Sequence, residues 1–172
     1  MAVQFQDFSY QVKAKLTAAA INGLREAGFE VAAHANRNVK LDGDAGQALR
    51  GSYRSVVNES AGEVQVGTSR EEGYWEEFGT GSHADTSKNG GKQGRQDWWV
   101  YNEGEPYDGP ESTHYATEAD AQSAALYIRG RYGSNAIASN GRDPSYTLEN
   151  AFIQTKPAVI AEFERLVREG LA

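Results

Sequence analysis

The chain has 172 residues, with 17 Lys plus Arg against 24 Asp plus Glu, no Cys, 19 Gly and 39% apolar residues. That describes one compact domain, 1–172, with a core of its own, and excludes a wholly disordered chain. The absence of cysteine excludes disulfide frameworks, zinc ribbons and thiol nucleophiles, and no apolar run approaches the roughly 20 residues of a bilayer span.

Met1 to Tyr10 has neither the basic start nor the apolar centre of a leader. From Val12, apolar residues recur at Leu16, Ala20, Leu24, Ala27, Val31 and Ala35, spacings of three and four that predict a helix from Ser9 to about Asn38. Such a helix is about 45 Å long, and Gly23 and Gly28 are places where it can bend. Leu41 to Gly46 reads as a turn. Leu49 to Asn58 and Glu63 to Ser69 have strand character and are separated by Glu59-Ser60-Ala61-Gly62, which predicts an antiparallel hairpin.

Glu71 to Phe78 is a short acidic and aromatic segment closed by Gly79-Thr80-Gly81, and Ser82 to Gln96 reads as a mobile polar loop. Trp98 to Tyr101 predicts a strand, Asn102 to Ser112 a Gly/Pro loop, and Thr113 to Thr117 a strand pairing back. Thr117 with Asp120 opens a helix whose stripe is Ala121, Ala125, Ile128 and Tyr132, and Gly133 ends it. Asn135 to Asp143 reads as loop. Tyr146, Leu148, Phe152, Val159, Ile160, Phe163, Leu166 and Val167 outline a last amphipathic helix, with Pro157 kinking it or opening its second half.

The charge is uneven. Met1 to Asn58 sum to +2, Glu59 to Asp120 to −10, and Ala121 to Ala172 to +1. A chain that grips nucleic acid clusters Lys and Arg against phosphate, and this one does the reverse in its middle third.

Glu71, Glu72, Glu76 and Glu77 lie close in sequence to Tyr74, Trp75, Trp98 and Trp99, residue types that would suit a carbohydrate-active hydrolase or a sugar-binding module. Nothing fixes the separation of those carboxylates, and a solvated helix face with packed aromatics accounts for them equally. His83 with Asp85, and His114, lack paired-ligand spacing, so no metal is expected. Neither a nucleophile elbow nor a phosphate loop is present, so no catalytic residue and no cofactor is expected.

Three pieces occur in a telling order: the long first helix, Gly46-Gln47-Ala48-Leu49-Arg50-Gly51-Ser52 leading into the hairpin, and Val66-Gly67-Thr68 followed by Tyr74-Trp75-Glu76-Glu77-Phe78-Gly79-Thr80-Gly81. This resembles the tail-completion, or head-tail joining, family of tailed bacteriophages, in which Thr is usual where Ala45 stands here. Gly141-Arg142-Asp143-Pro144 before Leu148-Glu149-Asn150-Ala151-Phe152 is similar to that family's approach to a last helix.

The resemblance implies a structural virion protein of the neck or tail, assembled in the bacterial cytoplasm. It would be a homo-oligomeric ring, a hexamer, between a head-completion protein and the tail tube or terminator protein. DNA would pass through without tight binding, and no membrane is involved. The expected fold is α+β: an antiparallel sheet of about four strands packed against the first and last helices. Its core is about 9–82 and 141–171, with 83–140 inserted as a hairpin and an extra helix.

Aromatic anchors and a loop able to order on docking suit lateral contacts, which makes Tyr74, Trp75, Glu77, Phe78, Trp98 and Trp99 candidate interface residues, with an ordinary aromatic core turn as the alternative for Tyr74 to Thr80. Six copies of a −7 chain carry −42 against about 26 charges on 45 Å of duplex. Glu71, Glu72 and Glu76 are candidates to line the channel and repel DNA, with acidity on an outer rim for solubility as the alternative.

Overall fold

The computed structural model describes residues 7–91, 97–102 and 114–171. Parts of two expected loops, 92–96 and 103–112, lie outside the described residues, as does Thr113 of the returning strand. The chain forms an α+β fold in two compact units, the first of 1–38, 52–68 and 148–172 and the second of 39–51 and 69–147. Residues 83–140, expected as an insertion, fall in the second unit together with the segments that flank them.

In the first unit, helix α1 (Ser9–Asn38) has the expected bounds, and strands β1 (Arg54–Asn58) and β2 (Glu63–Gly67) pair antiparallel with Ser55 opposite Val66 and Val57 opposite Val64. Those four half-buried residues share the face laid on α1, while Arg54, Val56 and Gln65 point outward, as a period of two requires. The Asn36 side chain acts as a strand partner for Tyr53, accepting from its N–H at 3.0 Å and donating to its carbonyl at 3.3 Å. Ser52 and Thr68 hydroxyls bond at 2.7 Å across the base of the hairpin.

Helix α5 (Thr147–Leu171) runs through Pro157 rather than starting there. It lies antiparallel to α1: Gly170 meets Ala19, Phe163 lies on Gly23, and Asn38 donates to Gln154 at 3.3 Å. Gly23 and Gly28, read in the sequence as places where the helix can bend, mark close approaches. A Cβ on Gly23 would come 2.5 Å from Phe163, and one on Gly28 would come 2.5 Å from Val64 and 2.7 Å from Ser55. The buried face of α1 is accordingly built from Ala19, Ile21, Gly23, Gly28, Ala32 and Ala35; of the expected stripe Ala35 is on that face, Leu16, Ala20, Leu24, Ala27 and Val31 are half-buried, and Val12 is exposed.

The second unit begins with Val39 and helix α2 (Gly43–Leu49), a helix where the sequence reads as a turn into a strand. Helix α3 (Glu71–Phe78) leads to strand β3 (Thr80–Gly81), which pairs antiparallel with β7 (Gly141–Arg142). Strand β4 (Trp98–Asn102) is central in a three-stranded antiparallel sheet, flanked by β5 (His114–Tyr115) and β6 (Ala136–Ser139). Among the described residues the strands are thus divided among sheets of two, two and three members, where one sheet of about four was expected. β6 and β7 occupy a segment that reads as loop because Ala, Ser, Asn and Gly carry little strand preference of their own. Pairing with β4 and β3 overrides that preference.

Helix α4 (Glu118–Tyr132) opens on Thr117, whose side chain accepts from the Asp120 N–H at 3.2 Å, and closes at Gly133. It packs Ala121, Ala125 and Ile128 against Val100 and Ala136, with Trp98 and Tyr115 alongside. Tyr132, expected in that stripe, is exposed.

Two alanine substitutions test this packing with opposite signs. Gly28→Ala should lower the melting temperature, because overpacking against Val64 and Ser55 costs about 1–3 kcal/mol and outweighs the ~1 kcal/mol of helix preference gained. Gly130→Ala in α4, where a Cβ meets nothing within 4 Å, should raise it by up to about 1 kcal/mol of added stability.

Candidate functional site

Three residues of α3 spaced by three, Gly73, Glu76 and the capping Gly79, form its buried side. Glu76 is 1% exposed. A carboxylate so enclosed is tolerated only if partners replace its water. Here Oε1 accepts from the backbone N–H groups of Lys40 at 2.5 Å and Leu41 at 3.2 Å, and from the Thr147 hydroxyl at 3.4 Å. Oε2 faces the Arg142 guanidinium at 3.1 Å, an ion pair whose angle falls short of a hydrogen bond. The Glu76 carbonyl also accepts from Ser145 N–H at 2.8 Å.

The segment Val39 to Asp42 is therefore held from two sides. Glu76 takes its N–H groups, and Arg50 donates to the carbonyls of Leu41 at 3.0 Å and Val39 at 3.4 Å. The residues of the Gly46 to Arg50 motif share this work: a Cβ on Gly46 would overlap the Leu41 carbonyl, Leu49 is fully buried, and Arg50 closes the segment. Gly79, at φ +74°, lets the chain leave α3 where a Cβ would come 2.6 Å from the Arg142 carbonyl. The Glu-Phe-Gly-Thr run and the Gly-Arg-Asp-Pro run, about 60 residues apart in sequence, thus meet around one carboxylate.

Glu76 is consequently not a channel-lining residue: its carboxylate is enclosed and matched by donors. Glu71 is exposed, and Glu72 is half-buried with a carboxylate oxygen 3.7 Å from Arg70. Tyr74 and Trp75 are exposed on α3, Tyr74 at a ring distance of 5.0 Å from half-buried Phe78. Glu77 is half-buried, and its carbonyl accepts from Tyr146 N–H at 3.3 Å. Trp98 lies on the α4 side of β4, whereas Trp99 and exposed Tyr101 alternate to its other face. The interface residues expected on α3 and β4 are therefore divided between surface and packing roles.

The histidines bind separate acids. His83 Nδ1 lies 2.8 Å from Asp143 and His114 Nδ1 lies 2.6 Å from Asp97. Asp85 does not join His83; it accepts from Ser87 Oγ at 2.5 Å and from the Tyr146 hydroxyl at 2.7 Å, while Lys88 Nζ lies 4.5 Å from the centre of the Tyr146 ring. The described part of the expected mobile loop, 82–91, is pinned by these contacts. No group of three or more His, Cys, Asp or Glu able to hold a metal occurs among the described residues, and none of their helices is long and apolar enough to cross a membrane. Among the described residues, two open grooves lie along α1 in the first unit, one of about 590 Å³ and lined by Tyr10, Lys13, Thr17, Ile21, Arg25 and Glu59 among others. Neither includes the α3 glutamates or a tryptophan.

Glu76→Gln should destabilise the second unit by about 3 kcal/mol, since it leaves Arg142 opposite a neutral amide, and adding Arg142→Met should recover part of the loss in a urea double-mutant cycle. Glu71→Gln on the exposed side should change stability by less than about 0.5 kcal/mol. Hydrogen bonds from Ser87 and then Tyr146 hold the Asp85 carboxyl below its ordinary value. A lowered carboxylate contributes stability that is present above the unfolded value, about 4, and is lost as pH falls through the folded one. Tyr146→Phe should flatten the acid limb of the melting-temperature profile below about pH 4.

No family model, no curated protein and no solved structure matches this chain significantly.

Proposed function

We propose that the chain is a non-enzymatic structural subunit that assembles with copies of itself into a ring, hexameric, at the head-tail junction of a tailed phage. The observation that carries this reading is how side-chain size is distributed. Among the described residues, seven of the thirteen buried hydrophobics are alanines, while Phe8, Tyr10, Phe29, Val56, Trp75, Tyr101, Leu126, Tyr127, Tyr132, Phe152, Ile153 and Ile160 are exposed. Fully burying one such large side chain is worth about 1.5–3 kcal/mol, so a chain that keeps its large residues outside retains most of that stabilisation for association. Surfaces this rich in Tyr, Trp and Phe match the composition of interface cores.

Both compact units carry such residues, α1 and α5 in the first and α3, β4 and α4 in the second. Contacts between unlike surfaces of successive copies close into a ring when the rotation permits. Exposed Glu71 and half-buried Glu72 supply acidity compatible with a lumen that repels DNA. The sugar-active reading lacks a comparable support, because Glu76, one of its four glutamates, is consumed by Arg142 and backbone N–H groups.

Phage particles assembled without this chain should separate into filled heads and free tails in electron micrographs, with infectivity restored by supplying the chain in trans. Intact, infectious particles lacking it would overturn the proposal.

A further inference from the structure

Three Asn-Gly steps occur in the chain, Asn22–Gly23, Asn89–Gly90 and Asn140–Gly141. Asn-Gly is the step at which a side-chain amide is most open to attack by the following backbone nitrogen, because glycine puts no side chain in the way. The first lies inside α1, where the backbone is committed to the helix, and Asn89 is buried. Asn140–Gly141 differs from both. It is half-buried at the junction of β6 and β7, and polar groups meet its side-chain oxygen, its carbonyl and the Gly141 N–H.

His83 Nε2 lies 3.3 Å from Asn140 Oδ1, and its Nδ1 lies 2.8 Å from Asp143 Oδ1. Both ring nitrogens face oxygen atoms, and the contact with Asn140 Oδ1 is a hydrogen bond when Nε2 carries its proton. Nε2–H then donates to the side-chain carbonyl and draws electrons from Cγ. Gly141 N–H donates to Ser139 Oγ at 3.1 Å, and the Asn140 backbone carbonyl accepts from Ser82 N–H at 2.8 Å. The glycine is required by the fold: at φ +136°, a Cβ there would overlap the Thr80 carbonyl across the β3–β7 pair. The architecture that joins the two strands therefore builds in the susceptible step.

We infer that Asn140 is a site of self-catalysed deamidation, with His83 as the electrophilic catalyst and Asp143 as the residue that positions it. Gly141 N forms a bond to Asn140 Cγ, the developing negative charge on Oδ1 is met by His83 Nε2–H, and the Cγ–Nδ2 bond breaks. Ammonia leaves with the hydrogen that Gly141 N gives up. Water, which reaches this half-exposed site, then opens the succinimide at either carbonyl to give aspartate or isoaspartate. The product places a second carboxylate against His83 beside Asp143, a slow change of charge at the β3–β7 junction that is independent of the assembly role.

The test is site-resolved peptide mass spectrometry of the full folded chain during incubation at neutral pH, with isoaspartate detected separately. Asn140 should convert faster than Asn22 and Asn89 in the same sample, and faster than Asn140 itself in the urea-unfolded chain. His83→Ala should slow it about tenfold, the lower end of what a positioned acid contributes scaled down for a 3.3 Å contact, and Asp143→Asn should slow it less. Conversion that is equal or faster in His83→Ala, or slower in the native than in the unfolded chain, would mean that the fold shields this step, and would overturn the inference.

Discussion

The second unit depends on enclosing one carboxylate. Moving an ionised group out of water costs several kcal/mol unless its lone pairs are met, and Glu76 is met by Lys40 and Leu41 N–H, Thr147 and Arg142. These partners come from segments distant in sequence, so satisfying Glu76 fixes α3, the chain before α2 and strand β7 together. The same requirement orients α3. At about 100° per residue, Tyr74 lies roughly 160° round the helix from Glu76, so burying the acid turns Tyr74 outward. The motif that reads as an interface in the sequence thus combines an internal anchor with an external surface.

The first unit is ruled by close approach. Glycine and alanine line the buried face of α1 because Phe163, Val64 and Ser55 come within a Cβ's reach of it. Thin contacts of this kind leave large side chains elsewhere: Phe152, Ile153 and Ile160 fall within about 100° of one another on α5, Phe152 beside its buried stripe of Ala151 and Thr155 and the two isoleucines roughly opposite it. Cores of small residues bury less apolar area per contact, which makes further burial on association the natural completion of the structure.

Long, periodic or capped elements were legible in the sequence. The bounds of α1, the hairpin of β1 and β2, and the Thr117 and Gly133 ends of α4 follow from spacing and capping alone. What was not legible depends on partners distant in the chain. β6 and β7 are strands because β4 and β3 lie beside them, and the partner that sets Glu76 apart from Glu71, Glu72 and Glu77 is Arg142. A signal for Glu76 did exist in the spacing Gly73-x-x-Glu76-x-x-Gly79, which puts the acid between two glycines on one packed face. Acidic composition concealed it.

The account stands on the claim that the exposed large side chains are contact surfaces between copies. Light-scattering mass of the purified chain, followed as concentration rises, tests this most directly. A shift toward a defined multiple of the chain mass, six copies in the closed form, is the predicted result; a monomer at every concentration, with its melting temperature unchanged throughout, would contradict it.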